Sequence, residues 1–227
     1  MVIFHFFNGF FAFFKLFENA FGKMHADWSI LISVIAVLTL VIGNITAVFQ
    51  QSIKRMLSYS SIAQAGFMLL GVFAMNYYAK QGLILYFAAY TLATLGIFAV
   101  LAKFKDHSIE AFNGFAKKYP MVALAMLVCI LSLAGIPLTA GFFAKYYMLL
   151  GVIKIGNMLW LVIVAILCAA VSVFYYFRVI QVMYFKDGIH HEEIKFTKSF
   201  EVMMLVNAAI IIILGIHPDW LLSLLNI

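Results

Sequence analysis

An all-α, polytopic transmembrane bundle of six to seven spans, one of them discontinuous, follows from three features of the chain. Of its 227 residues, 66% are hydrophobic and only 11% are charged, an apolar share that no soluble domain of this size needs. Several charge-free runs reach or exceed the roughly 20 residues that a membrane helix requires. A further run with a single charge, Met121 to Ile153, is 33 residues long and carries glycine and proline in its interior. Proline there removes a backbone donor and clashes with the preceding turn, so one straight helix is excluded.

In chain order, the expected spans cover about residues 1–17, 28–49, 56–78, 82–102, 121–153 (broken near 135–141), 155–177 and 200–217, in a single transmembrane domain. The first is the weakest, with only 14 charge-free residues before Lys15. It lacks a basic leader and a small-residue cleavage site, so it does not read as a signal peptide. Trp28–Phe49 is 22 residues without a charge and is followed by a polar, basic hinge, Gln50–Arg55. Met56–Tyr78 has polar first turns. Gly82–Ala102 is a clear span, and the charged connection Lys103–Lys118 has room for a short surface helix. Ile155–Phe177 and Val202–Ile216 flank the mixed-charge loop Arg178–Glu201, and Pro218 ends the last span.

Basic loop residues set the orientation. The hinge, the charged connection and the Arg178–Glu201 loop hold ten of the fifteen Lys and Arg residues, against four in the alternate loops. Those three segments are therefore expected on the cytoplasmic side, with the C-terminus on the periplasmic, outer side. The net charge of +6 then reflects loops facing anionic lipid. No basic stripe is interleaved with aromatics in a water-facing segment, so nucleic acid is not an expected partner, and the lipid bilayer is.

Within the long run, two half-helices joined by unwound backbone over Ala134–Gly141, with Gly135, Pro137 and Gly141 as the break, are the expected outcome. Irregular backbone at membrane depth persists only where it is packed in protein or lines a water-filled cavity. Lys145, the fifteenth basic residue, is the only charge in the run. An ionisable side chain at that depth marks a functional site. The plainer alternative is a lysine snorkelling to the headgroups. However, Lys145 lies eight residues before Ile153, about 12 Å along a helix, and its neighbours Phe142, Phe143, Tyr146 and Tyr147 are bulky. Lys145 is taken as the proton-transfer residue, since a lysine kept from water can both hold and release a proton.

Other polar positions carry weaker signals. Lys54 and Arg55 at the cytoplasmic hinge precede a helix bearing Tyr59, Ser60, Ser61 and Gln64, and Tyr86, Tyr90, Thr91 and Thr94 fall at helical spacing on the next. These read equally as interhelical packing or as a water path, for which Tyr59, Ser60, Ser61, Gln64, Tyr90 and Thr94 are the candidates. His190, His191, Glu192 and Glu193 read as solvated loop rather than metal ligands. Cys129 and Cys168 sit in apolar runs as packing residues. No catalytic redox residue, metal site or phosphate-binding loop is expected in the chain.

Two stretches, IKRMLSYSSIAQAGFMLLG (Ile53–Gly71) and LSLAGIPLTAGFFAKYYML (Leu131–Leu149), resemble the antiporter-like membrane subunits of proton-pumping NADH:quinone oxidoreductase (complex I). The resemblance runs from about Lys15 to Leu225 and is strongest to the subunit called N in bacteria and 2 in mitochondria. A lysine after the glycine of the broken helix fits N or L better than M, and the short tail argues against L. The resemblance implies about fourteen helices in two inverted five-helix repeats, with this chain covering the later half.

By the same resemblance, Lys145 is the terminal proton-exchanging lysine of the path toward the periplasm. The family's lysine in the first helix of this half would fall near Phe6, where HFFNGFF has none; His5 is not given that role. The resemblance implies a subunit of the inner (plasma) membrane beside other membrane-arm subunits of complex I. Flavin, iron–sulfur clusters and quinone would be held by partners and none by this chain. The alternatives are a cation/proton antiporter subunit and a non-transporting fragment, because the missing lysine and short first span suggest a partial chain.

Overall fold

The computed structural model describes residues 2–20, 25–188 and 194–224, and among these the regular structure is helical. The helices are α1 (Val2–Ala20), α2 (His25–Val48), α3 (Ile53–Ala74), α4 (Tyr77–Leu101), α5 (Phe115–Lys118), α6 (Pro120–Ala134), α7 (Ala140–Ile155), α8 (Leu159–Phe185), α9 (Lys198–Ile216) and α10 (Pro218–Leu224). Five have the length and composition to cross a bilayer, over Trp28–Val48, Ile53–Ala74, Tyr77–Leu101, Leu159–Phe185 and Lys198–Ile216. Helices α6 and α7, of 15 and 16 residues, are each too short to cross alone. The connection after α4 contains a single 3₁₀ turn, Glu110–Phe112, and the one-turn α5.

Helix α3 is the most enclosed of the five long spans, whereas α2, α8 and α9 each present a broad apolar face outward. On α8 this face includes Leu159, Ile163, Ile166, Leu167 and Phe174. Such a surface suits hydrocarbon, in which backbone polar groups are satisfied inside the helix and apolar side chains face outward. Small residues let the inner helices close up. A Cβ on Gly82 of α4 would lie 2.9 Å from the Met148 backbone nitrogen of α7, the kind of approach that small side chains permit between membrane helices.

The three basic segments meet at one end of the bundle. Ile53 N donates to His107 O (2.9 Å) and Ile109 N to Gln51 O (2.9 Å), an isolated bridge pairing Ser52 with Ser108. These bonds hand two backbone groups beside the start of α3 to the connection after α4. Gly114 N donates to Val182 O at 3.1 Å. Arg178 of α8 sends one guanidinium nitrogen to Val48 O (3.2 Å) and another to Gln50 O, so a cation caps the carbonyl end of α2. Exposed Lys117 and Asp187 pair at 2.5 Å, and this ammonium holds the Asp187 carboxyl below the usual aspartate range. At the opposite end, Asn76 caps α4 by accepting from Ala79 N (3.0 Å) and donates to Gly151 O (2.7 Å) at the end of α7.

Candidate functional site

The site begins with how α6 stops. Gly135 takes the left-handed conformation (φ 81°), and Gly135 N donates to Ser132 O (3.1 Å) while Ile136 N donates to Leu131 O (3.0 Å). This is the Schellman arrangement, which satisfies the carbonyls of two last-turn residues. The next two, Leu133 and Ala134, would be left over, since Pro137 has no N–H to give. Pro137 and Leu138 occupy the turn between the half-helices, Leu138 itself at φ 73°. Residues 135–139 form the break, and Gly141 lies one residue inside α7.

The remaining carbonyls are taken by Lys145. Its Nζ donates to Leu133 O at 2.9 Å and to Ala134 O at 3.0 Å, with the Phe67 ring centroid 4.9 Å away. Lys145 is 7% exposed, so the amine points inward and not toward the headgroups. The negative end of a half-helix and an aromatic face are both suited to a cation. The chain doubles back tightly to allow this. A Cβ on Gly141 would lie 1.8 Å from Ser132 O, and one on Gly135 would lie 2.9 Å from the Lys145 side chain. Gly215 of α9 closes over the break, where its Cβ would meet Leu138 O at 2.5 Å.

Gln64 of α3 reaches the same place from the side. Its Nε2 donates to Leu133 O (3.2 Å) and to the Tyr176 hydroxyl (3.2 Å), while Tyr86 of α4 donates to its Oε1. Tyr176 pairs with Ser60, the Tyr175 ring packs beside that of Tyr176 with centroids 4.6 Å apart, and the Tyr175 hydroxyl donates to Asn44 Oδ1 of α2 at 3.1 Å. Asn44, Ser60, Gln64, Tyr86, Tyr175 and Tyr176 are all buried, so this is a satisfied interior network and not a surface cluster. On the other side of Gln64 lies a cavity of about 10 Å³ lined by Gln64, Tyr86, Tyr90, Ser132, Leu133 and Lys145, among others. That is about one water molecule's worth of space, its lining mostly apolar surface with a few polar side chains at its edge.

Not every position singled out in the sequence reaches this site. Ser60, Gln64 and Tyr90 do. Ser61 is half-buried, and its hydroxyl donates to Ser58 O (2.6 Å) on its own helix. Tyr59 does not, because it points outward and is 36% exposed; adjacent helical residues diverge by 100°, and Ser60 takes the inner direction. Thr94 is buried, but its hydroxyl turns back to Tyr90 O (2.6 Å) and Thr91 O (3.2 Å) on its own helix and does not line the cavity. Lys54 and Arg55 are exposed at the end where the basic loops meet. His190, His191, Glu192 and Glu193 lie outside the described residues, as do the side chains of His5 and Phe6. Among the described residues no cluster of three or more His, Cys, Asp or Glu could hold a metal.

Sequence reasoning missed Asn44, Ser132, Tyr175 and Tyr176. An asparagine and a tyrosine pair inside charge-free spans were the available signals, since buried amides and phenols need partners. What hid them was the absence of any spacing rule linking α2, α3 and α8.

A half-helix pair with a buried lysine capping the first half, inside a bundle of apolar spans, defines a multi-pass membrane protein of the antiporter-like class. Residues 7–172 match the family described as NADH:quinone oxidoreductase/Mrp antiporter, TM, and the chain belongs to it. NADH-quinone oxidoreductase subunit N of Trichlorobacter lovleyi is 41% identical over 95% of this chain and 45% of its own length. F(420)H(2) dehydrogenase subunit N of Methanosarcina mazei is 36% identical over 93% of this chain and 45% of its own. Among solved structures, a chain of respiratory complex I from Thermus thermophilus superposes with a TM-score of 0.74 and 30% identity, over 85% of this chain and 44% of that one. A chain of the Mrp complex from Dietzia superposes with a TM-score of 0.83 over 95% of this chain and 49% of that one, at 18% identity, which shows the shared fold. The chain spans about half the length of the curated relatives it matches.

Proposed function

We propose that this chain serves as a proton-translocating membrane-arm subunit of an NADH:quinone oxidoreductase, coupling quinone reduction to proton transfer across the inner membrane. The observation that carries this reading is Lys145, buried at the interruption between α6 and α7 with its amine on two backbone carbonyls. A charge change in a neighbouring subunit would shift the balance between ammonium and amine. The released proton would leave Lys145 through the adjoining cavity, which has room for about one water. The ammonium returns to its carbonyl acceptors once reprotonated. Tyr90 and Ser132, which line the cavity, are proposed to orient that water. Lys54 and Arg55 serve as the basic anchor on the cytoplasmic side, and the excess of basic residues in the loops at that end supports a C-terminus on the outer side. NADH oxidation and quinone reduction belong to partner subunits holding flavin, iron–sulfur clusters and quinone.

A cation/proton antiporter subunit has the same architecture. The relatives bearing a subunit N name, 33–41% identical over nearly the whole chain, favour the respiratory assignment. The test is Lys145→Ala in the assembled complex, measuring quinone-linked proton pumping in membrane vesicles. Pumping is expected to fall by about tenfold or more, the loss of a positioned proton-transfer group, with assembly retained. Unchanged pumping with normal assembly removes Lys145 from the mechanism.

A further inference from the structure

The hydrogen-bonded groups around Lys145 fall into two sets separated by a single amide. On one side are the cavity residues Tyr86, Tyr90 and Ser132 together with Lys145. On the other is a ladder of hydroxyls: Tyr176 paired with Ser60, then Tyr175, whose ring lies 4.6 Å from that of Tyr176 and whose hydroxyl donates to Asn44. The ladder climbs toward the end of the bundle where the basic loops meet. Asn44 stands four residues before the last residue of α2, about one helical turn. Hydroxyls can accept a proton and pass another on, so such a ladder would drain Lys145 toward that end if the two were joined.

Gln64 stands at the junction. Its two Nε2 protons are engaged by Leu133 O and the Tyr176 hydroxyl, and its Oε1 accepts from Tyr86. The Leu133 carbonyl, which can only accept, fixes which end of the amide faces which partner. An amide in this state donates and accepts hydrogen bonds but neither takes up nor releases a proton near neutral pH, unlike a carboxyl group.

We infer that Gln64 is an insulating, positioning residue: it completes the hydrogen-bond network around Lys145 while blocking proton passage from that lysine to the Tyr176–Ser60–Tyr175 ladder. The inference rests on the proposed role of Lys145. With a carboxylate in place of the amide, an N–H bond of the ammonium breaks through the cavity water and an O–H bond forms on the carboxylate. That proton then moves to the hydroxyl ladder as a ladder proton moves on, and the carboxylate is regenerated.

The test uses membrane vesicles containing the assembled complex and reads electron transfer, protons moved per electron, and decay of an imposed proton gradient. Gln64→Glu is expected to keep electron transfer while the proton yield falls and the gradient decays about 10²-fold faster, the low end of what one positioned proton-transferring group contributes. Gln64→Ser, which leaves room for water, should leak likewise and serves if the carboxylate impairs assembly. Gln64→Met, which offers no proton site, should stay coupled. The double variant Gln64→Glu/Lys145→Ala should hold its gradient again. A Gln64→Glu complex as tightly coupled as the native one overturns the inference, as does a proportional loss of electron transfer and pumping, which marks a merely structural residue. If Lys145→Ala alone leaves pumping intact, the proposed function fails; if Lys145→Ala is defective while Gln64→Glu stays coupled, only the insulating role fails.

Discussion

Lys145 and Gln64 donate to one and the same acceptor, the carbonyl oxygen of Leu133, at 2.9 and 3.2 Å. A carbonyl oxygen has two lone pairs, and here both are used. The oxygen is available only because α6 ends one residue later and the Schellman bonds serve Leu131 and Ser132 instead. A backbone interruption thereby joins the buried lysine of the broken element to the polar face of α3.

Replacement of Lys145 should separate charge from packing. Lys145→Ala opens space in which water can take over the Leu133 and Ala134 carbonyls, so assembly survives while pumping falls. Lys145→Met fills the space without donating. It leaves buried acceptors short of partners, at about 1–3 kcal/mol per unsatisfied group. Thermal unfolding of the two purified complexes should place Lys145→Met below Lys145→Ala, and the reverse order would contradict the capping role.

Two glycines should respond differently to alanine. At Gly141 the added methyl would lie 1.8 Å from the Ser132 backbone oxygen. Neither partner can rotate away, and forced overpacking of this kind costs about 1–3 kcal/mol or more. At Gly71 the nearest atom is the Met148 sulfur, 2.7 Å away, the far end of a flexible chain that can move. Gly141→Ala should deplete the assembled complex and Gly71→Ala should not, as read by native gel electrophoresis.

Arg178→Lys should loosen the hinge between α2 and α3. The guanidinium fork spans Val48 O and Gln50 O together, which a single ammonium cannot reproduce in the same geometry. The expected result is faster proteolysis within residues 49–52 at unchanged overall helix content by circular dichroism.

The pair of Lys117 and Asp187, by contrast, should matter little. Both side chains are open to solvent, 67% and 93% exposed, and such pairs are screened. Asp187 is held below the usual aspartate value of 3.8, first by its hydrogen bond to Lys117 and then by that residue's charge. Because the folded-state value is the lower one, any stabilisation is present above the usual value and is lost as pH falls through the depressed one. That contribution is fully present between about pH 5 and 8, but the pair is so exposed that Asp187→Asn should barely move the unfolding temperature even there.

The amino-acid sequence by itself determined the class of molecule, the approximate spans and the place of the interruption. These depend on run length, charge and the chemistry of Gly135 and Pro137, which are properties of neighbouring residues. It also marked Lys145, because one charge in 33 apolar residues needs no partner to be conspicuous. Only the tertiary structure decided that Tyr59 faces outward while Ser60 faces inward, and that Thr94 serves its own helix. The same holds for the meeting of Asn44, Gln64 and Tyr176, which come from α2, α3 and α8. The spans are apolar on most faces, so periodicity does not say which side of a helix is inward. That choice is made when close approaches such as Gly141 on Ser132 set how the helices pack.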